Sequence, residues 1–304
     1  CMVRTAWAAL LGGCAALILR HFIVSLRRPV SLPPWRRLPK RILLVRHGQS
    51  VANIDPDAYR TIGDVHVPLT DEGWLQSYKA GERIKDLVRD ESVRFFVSPY
   101  VRTRETLNGI ARAFGGIASI EWREHPLLRE VERGTVKDET EWREFARQRK
   151  DLHTFFWRFP NGGESVADVA DRMHAFRDTL HRYFRDRPTT DNYIIVSHSE
   201  FIKVFLWRIL RLNCDEYSQI DWPCPNAAIY VLESTTKPVG EGEEVLELVS
   251  ITDPSTGRTW NREPGDKHIR LDLMPSHRWG KMRVIRDGPA APSGEGITEV
   301  AAIT

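Results

Sequence analysis

Residues 41–53 read RILLVRHGQSVAN, and this stretch determines the predicted fold. Four apolar residues, Ile42 to Val45, lie between charged positions and are followed by Gly48, as in a buried strand of a parallel sheet that ends at a turn. Similar apolar runs recur downstream and predict four further strands. They lie at residues 93–97, 193–196, 228–232 and 245–251.

Long amphipathic stretches separate these strands and predict five helices. They lie at residues 70–89, 102–114, 139–154, 165–185 and 201–210. Thr70 and Ser165 stand at the starts of two of them, where a hydroxyl accepts a hydrogen bond from the first turn. Alternating strands and helices predict an α/β fold with a doubly wound, mostly parallel sheet flanked by helices. In such a sheet the functional site lies at the carboxyl ends of the strands.

The composition is that of a globular protein. Of 304 residues, 41% are hydrophobic and 28% are charged, which excludes a collagen, a disordered polyelectrolyte and a multi-span membrane protein. Four scattered cysteines indicate neither a disulfide framework nor a zinc site, and they favour a reducing compartment. Residues 1–41 carry eight basic side chains and no acid, so the rest of the chain has 36 basic against 41 acidic residues. This acidic body argues against nucleic acid as a partner.

The two ends of the chain are predicted to lie outside a folded domain at residues 40–252. Residues 1–39 form an apolar and basic leader with a proline-broken linker, and residues 253–304 are expected to be an irregular or disordered tail. The unbroken apolar run of the leader, with Arg4 alone before it and the other basic residues after it, favours a membrane anchor that keeps the domain cytosolic. A secretory signal is disfavoured. The alternatives are a mitochondrial or plastid presequence, a soluble cytoplasmic protein, and an artefact of the gene model, since Cys1 precedes Met2.

Three of the predicted strands are followed directly by charged or proton-transferring residues, and a loop supplies one more. The residues are Arg46, His47, Arg102, Glu130 and His198. Two arginines offer charge-assisted donors to a dianion, two histidines offer a nucleophile and a further donor, and a buried glutamate can donate a proton. Two histidines and a carboxylate can also ligate a metal ion, but the adjacent arginines would repel it. We therefore expect a site that binds an anion and transfers a proton without a metal or cofactor.

Several motifs, taken in order, resemble those of the histidine phosphatases, the superfamily with the phosphoglycerate mutase-like fold. Arg-His-Gly at residues 46–48 is the signature of that superfamily. The other matches lie at residues 68–81, 98–106, 129–134, 159–165 and 196–198. The resemblance covers roughly residues 40–251, and the pattern is most similar to that of the plant and fungal phosphoglycerate mutase-like phosphatases.

The resemblance implies metal-independent hydrolysis of phosphomonoesters through a phosphohistidine intermediate. His47 would be the nucleophile, and Glu130 would be the general acid for the leaving alcohol and then the base for water. Phosphoryl oxygens would be held by Arg46, Asn53, Arg102 and His198. Fixed cations around a transferring phosphoryl group are the main catalytic requirement of such chemistry.

Some positions differ from the family pattern. Ser199 stands where glycine is usual, residues 161–164 contain one extra glycine, Thr135 replaces an asparagine, and Val-Glu-Arg at residues 131–133 replaces a run of Gln, Asp and an aromatic. Two other functions stay open. One is a phosphoglycerate mutase-type transfer, which the lack of a Trp-Asn ending in the first motif disfavours. The other is a catalytically silent module that binds a phosphorylated ligand or a partner.

The substrate is predicted only as a class, which is a phosphorylated small molecule or a phosphoprotein. Specificity is expected in the variable segments. Tyr59 and Arg60, within residues 54–67, are candidates for the entrance, and residues 133–160 form either a cap or a helix whose aromatic stripe faces the core. The sequence predicts membrane association only through the leader, and it predicts no oligomeric state.

Overall fold

The computed structural model describes residues 38–151, 155–214, 217, 223–236 and 244–262. A seven-stranded sheet forms the centre of this part of the chain, in the order β3-β2-β4-β1-β5-β6-β7. The strands are β1 Arg41–Arg46, β2 Val93–Val97, β3 Trp122–Glu124, β4 Asn192–Ser197, β5 Ile229–Thr236, β6 Glu244–Thr252 and β7 Thr259–Asn261. All five predicted strands are present.

The sheet is mixed rather than mostly parallel. Strands β3, β2, β4 and β1 are parallel to one another, whereas β5, β6 and β7 extend the sheet in antiparallel fashion beyond β1. The predicted α/β class is confirmed, but the expected excess of parallel pairs is wrong, since half of the neighbouring pairs are antiparallel. A short apolar run indicates burial and not direction, so the sequence did not distinguish the two arrangements.

Two strands of three residues each were not predicted. Strand β7 pairs with β6 through Ser250 and Asn261, after a turn in which the Asp253 carboxylate accepts hydrogen bonds from Ser255 N and Thr256 Oγ1. The expected irregular segment from residue 253 is therefore wrong for Thr259–Asn261. Strands this short show no measurable periodicity. The remainder of the predicted tail, residues 263–304, lies outside the described residues.

The five predicted helices all form, with ends shifted by a few residues. The helices are α1 Val51–Ile54, α2 Asp71–Val88, α3 Val101–Ala111, α4 Glu139–Asp151, α5 Val166–Asp186 and α6 Ser199–Ile209, of which the short α1 was not predicted. The Thr70 side chain accepts from Gly73 N, and Ser165 exchanges hydrogen bonds with Asp168 in a capping box. Both predicted N-caps are thus confirmed.

Helices cover both faces of the sheet, as expected of a doubly wound fold. Alternate residues of β1 face opposite sides, so Leu43 and Val45 pack in one buried cluster with α2 and α3. Ile42 and Leu44 belong to the other cluster, which contains the buried faces of α5 and α6. Because β1 is the fourth of the seven strands, the residues that follow it emerge at the centre of the sheet edge.

The predictions for the leader concern residues 1–39, and of these residues 1–37 lie outside the described part of the chain. Within the described ranges, none of the helices combines the length and the apolar character that a membrane span requires.

Candidate active site

The two predicted histidines leave adjacent parallel strands. His47 follows β1 and His198 follows β4, and the backbone N–H of His47 donates to the carbonyl of Ser197 at 3.0 Å. This hydrogen bond continues the ladder beyond the strand ends and holds the two rings with their centroids 5.3 Å apart. Both side chains are buried, at 3% and 0% exposure.

The state of the His47 ring follows from its hydrogen bond. Nδ1 lies 2.7 Å from the carbonyl oxygen of Gly48, which can only accept, so Nδ1 carries the proton and Nε2 keeps its lone pair. Burial lowers the pKa of His47 well below its usual range, and the charges of Arg102 and Arg46 lower it further. His47 is therefore a neutral imidazole with a free Nε2 lone pair.

The loop after His47 is fixed by close backbone contacts. A Cβ on Gly48 would lie 2.4 Å from the carbonyl oxygen of Gly73, at the start of α2, so only glycine fits there. The N–H of Gly48 donates to Thr106 Oγ1 of α3 at 3.0 Å. Both helices thereby hold His47 in place.

Two arginines flank the histidines. Arg46 is half-buried, and its Nη1 donates to the carbonyl of Cys224. Arg102, near the start of α3, is 1% exposed, with its guanidinium 4.8 Å from the ring centroid of Tyr100. We call Arg46, His47, Arg102 and His198 the strand-end cluster.

Unpartnered nitrogens are concentrated in the strand-end cluster. Seven buried side-chain nitrogen and oxygen atoms in the described ranges have no hydrogen-bond partner, and three of them are Arg46 Nε, Arg102 Nε and His198 Nδ1. Nε2 of His198 lies 2.8 Å from Ser98 Oγ. Burial, together with the charges of Arg102 and His47, lowers the pKa of His198 well below its usual range. Buried donors normally have partners, so three in one cluster indicate a site for an anion.

Glu130 lies in the loop between β3 and α4, near enough to the cluster for the charge of Arg102 to influence its pKa. It is 5% exposed, and its Oε1 accepts a hydrogen bond from Val131 N at 2.9 Å. Burial raises the pKa of Glu130, although the charge of Arg133 acts in the opposite direction. A carboxyl group with a raised pKa retains a proton that it can donate.

The loop that bears Glu130 is anchored by a residue that the sequence analysis missed. Arg172 of α5 donates to the carbonyl oxygens of Leu127, Arg129 and Glu130 at 2.8–3.0 Å. It also forms two hydrogen bonds with the carboxylate of Glu164, at 3.0 Å each. The available signal was a charged residue on the apolar face of a helix, since Arg172 is buried beside Met173.

A second group of side chains lies beside the cluster and comes from loops and from α4. Nη1 of Arg102 lies 2.8 Å from the carboxylate of Asp64 and donates to the Asp64 carbonyl at 2.6 Å. The Arg133 guanidinium lies 5.4 Å from each of the ring centroids of Tyr59 and Trp142. We call Tyr59, Asp64, Arg133 and Trp142 the mouth wall. Of these residues, sequence analysis proposed only Tyr59 for the entrance and noted Arg133 only as a departure.

The other two predicted positions, Asn53 and Arg60, are both exposed. Asn53 is exposed, and its Oδ1 accepts from Ser50 N at 2.9 Å and from Asn226 Nδ2 at 3.0 Å. Asn226 also donates to the backbone oxygen of His47 at 3.4 Å, so Asn53 is connected to the cluster through a second amide. Arg60 is exposed and pairs with Asp57.

The described part of residues 133–160 contributes both to the core and to the mouth wall. Phe155 and Phe159 are buried, as an aromatic stripe facing the core would be, but Phe156 is 74% exposed. The predicted helix is wrong for residues 155–160, which follow α4 as turns and irregular backbone. Trp142 stacks on Phe159 with ring centroids 6.1 Å apart and also contacts Arg133. Over the described ranges, no three His, Cys, Asp or Glu residues gather as a metal-binding group.

The sequence matches known families and proteins over this same region. The profile of the histidine phosphatase superfamily (branch 1) matches residues 42–240. A phosphoglycerate mutase-like protein of Arabidopsis thaliana is 35% identical over 259 residues, which cover 81% of this chain and 77% of the relative. A broad-range acid phosphatase of Saccharomyces cerevisiae is 25% identical over 287 residues, covering 64% of this chain and 85% of that protein.

Solved structures share the fold at lower sequence identity. A mycobacterial glucosyl-3-phosphoglycerate phosphatase superposes with a TM-score of 0.53 at 20% identity, covering 69% of this chain and 98% of that one. A second protein, YhfR of Bacillus stearothermophilus, gives a TM-score of 0.50 at 20% identity and covers 68% of this chain and 95% of its own. These likenesses show the architecture and say nothing about the substrate.

Proposed function

The chain belongs to the histidine phosphatase superfamily, and on that premise we propose that it hydrolyses phosphomonoesters without a metal ion, through a phosphohistidine formed on His47. The observation that carries the proposal is the set of three buried, unpartnered nitrogens around a neutral imidazole. A phosphoryl group seated among them would satisfy all three donors and lie against Nε2 of His47.

The strand-end cluster would hold the phosphoryl group. Arg46 and Arg102 supply the planar, charged donors that match phosphate oxygens. His198 supplies a neutral donor: when the Ser98 hydroxyl donates to Nε2, the proton of the neutral ring is on Nδ1, which has no other partner. Such preorganised donors stabilise the charge that spreads over the transferring phosphoryl oxygens.

The reaction would then proceed in two steps. In the first, His47 Nε2 forms a bond to phosphorus as the ester P–O bond breaks, and Glu130 transfers its proton to the leaving oxygen. In the second, the Glu130 carboxylate takes a proton from water as the water oxygen bonds to phosphorus and the N–P bond breaks. Inorganic phosphate leaves, and both side chains return to their starting states.

A direct test measures phosphate release from phenyl phosphate by the full chain in excess EDTA, beside His47→Ala. The matched control is His181→Ala, which removes an exposed histidine of α5. We expect EDTA-resistant release that His47→Ala lowers by at least about 10³-fold, as loss of a catalytic nucleophile does, while the control keeps it. Acid-labile radioactive phosphate should be trapped on the wild-type chain and not on His47→Ala.

Other results would refute the proposal in distinct ways. Activity that EDTA abolishes would indicate metal-dependent chemistry. Isomerisation of a phosphoglycerate without net phosphate release would indicate a mutase. Tight binding of phosphate esters without turnover by the folded wild-type chain would indicate a silent module.

A further inference from the structure

Arg133 is held in an unusual setting at the mouth wall. Its guanidinium lies between Tyr59 and Trp142, 5.4 Å from each ring centroid, and Trp142 is backed by its stack on Phe159. Ring faces attract a guanidinium and restrict its orientation without neutralising its charge. The clamp therefore holds a cation in a fixed place, and the donors that do not bond the Tyr59 side chain stay usable.

Among the described residues no carboxylate forms a contact ion pair with Arg133, although, against the effect of burial, the nearby charges of Glu130 and Asp64 raise its pKa. The nearby acids are otherwise engaged: Asp64 pairs with Arg102, and Glu164 pairs with Arg129 and Arg172. Glu130 is buried, and its raised pKa favours the neutral carboxyl. A positioned arginine without a contact ion pair is costly to maintain as packing alone, and it indicates that a ligand supplies the anion that its donors contact.

The location of Arg133 ties it to the strand-end cluster. The Tyr59 ring that contacts Arg133 also lies 6.0 Å from the guanidinium of Arg102, so one ring touches both arginines. The charge of Arg133 also reaches the cluster, since it contributes to the lowered pKa of His47. The backbone after Arg133 is fixed, because a Cβ on Gly134 would lie 2.1 Å from the carbonyl oxygen of Pro160.

We propose that Arg133, clamped by Tyr59 and Trp142, is a specificity-determining residue that binds a second oxyanion of the substrate, a carboxylate or a further phosphate, beside the phosphoryl group held by Arg46 and Arg102. This inference rests on the proposed function and adds a substrate class to it: small phosphomonoesters that carry a second anionic group. The two flanking rings would contact the apolar or planar part of the molecule between its two anions.

The test compares esters that differ only in the second group. We would measure kcat/KM for 3- and 4-carboxyphenyl phosphate and for 1,3- and 1,4-phenylene bisphosphate, whose second group is anionic. The references are 3- and 4-carbamoylphenyl phosphate, which have the shape of the carboxyphenyl phosphates but a neutral second group. For at least one ester with an anionic second group, the wild-type kcat/KM should exceed that for the carbamoylphenyl phosphate of the same substitution pattern by about tenfold or more. This is the size of a charge-assisted hydrogen bond. Preference for the bisphosphates alone would identify the second group as phosphate, and preference for the carboxyphenyl phosphates would identify it as carboxylate.

Variants at Arg133 test whether this residue binds the second anionic group of the substrate. Arg133→Gln should remove the preference, and Arg133→Lys, which keeps the charge but not the planar fork, should keep part of it. The matched control is Arg104→Gln, an exposed arginine of α3 that pairs with Glu124, and it should keep the full preference. The proposal would be overturned if the wild-type chain favoured none of the esters with an anionic second group, or if the preference survived in Arg133→Gln.

A binding measurement separates this inference from the proposed function. His47→Ala cannot form a phosphohistidine, so calorimetric binding of the same esters to His47→Ala does not depend on turnover. His47→Ala should bind a carboxyphenyl phosphate or a bisphosphate more tightly than the carbamoylphenyl phosphate, and the His47→Ala/Arg133→Gln double variant should not. This result would support the role of Arg133 even if no ester were hydrolysed. If His47→Ala bound esters with an anionic and with a neutral second group equally well, the role of Arg133 would be overturned even if hydrolysis were efficient.

Discussion

The strand-end cluster and the mouth wall lie side by side but are built differently. Three of the four cluster residues are at most 3% exposed, and the cluster follows strands that are joined by ladder hydrogen bonds. The mouth wall comes from residues 55–67, from the loop after Glu130 and from α4. Tyr59, Arg133 and Trp142 meet through ring faces, and Asp64 is joined to Arg102 of the cluster by an ion pair. Backbone hydrogen bonds hold the first region and side-chain contacts hold the second.

This difference separates two tasks. A phosphoryl group is the same in every phosphomonoester, so the groups that hold and transfer it can be fixed by the sheet. The remainder of the substrate varies, and it must be recognised by segments that change without disturbing the core. Changes in the cluster should therefore affect all substrates, whereas changes in the mouth wall should affect substrates selectively.

The largest effect after loss of His47 is expected from Glu130→Gln. Hydrolysis of phenyl phosphate should slow by about 10²- to 10⁴-fold, the usual contribution of a general acid. With 4-nitrophenyl phosphate the rate of the first step should fall less, because nitrophenolate can leave without accepting a proton. The second step still lacks its base, so stopped-flow absorbance should show a burst of nitrophenolate followed by slow turnover.

The pKa directions give this prediction a pH dependence. Because burial raises the pKa of Glu130, the carboxyl keeps its proton to a higher pH than usual, and wild-type kcat/KM should fall as pH rises through that value. The ratio of wild-type to Glu130→Gln rates, which cancels the ionisation of the ester, should fall in the same range. Glu132→Gln is the matched control, and an equal loss in both variants would contradict the assignment.

Arg172→Met tests how far the cluster depends on the packing behind it. The change removes three hydrogen bonds to the loop of Glu130 and leaves Glu164 with Arg129 as its remaining ion-pair partner. Breaking a buried ion pair should lower the free energy of unfolding in urea by about 3 kcal/mol. Displacement of Glu130 should also slow the hydrolysis of phenyl phosphate more than that of 4-nitrophenyl phosphate.

The control for Arg172→Met lies on the same helix. Arg177 is more exposed and is 3.7 Å from Asp178, so Arg177→Met should change stability by less than about 1 kcal/mol. Equal losses on both esters in Arg172→Met would mean that the residue supports folding only and does not position Glu130.

The sequence predicted the cluster far better than the mouth wall, for a physical reason. His47 and His198 directly follow apolar runs that only a buried strand explains, and parallel strands bring their carboxyl ends together. Asp64 and Arg133 lie in segments without periodicity, where the path of the chain depends on tertiary contacts such as that of Gly134 with Pro160. Strand β7 was missed for a similar reason, since three residues gain their strand geometry only from pairing with β6.

The smallest expected effect concerns the contact between the two regions, where Asp64 of the mouth wall pairs with Arg102 of the cluster. A carboxylate there repels a phosphate dianion and competes for the same guanidinium, so Asp64→Asn should lower KM for phenyl phosphate by roughly fivefold, as about 1 kcal/mol of screened charge interaction implies. The difference from wild type should shrink in 1 M salt. Asp57→Asn, which removes the exposed partner of Arg60 on the same segment, should have no such effect. A rise in KM would instead mean that Asp64 orients Arg102 for the phosphoryl group, and the mouth wall would then belong to the catalytic apparatus and not only to recognition.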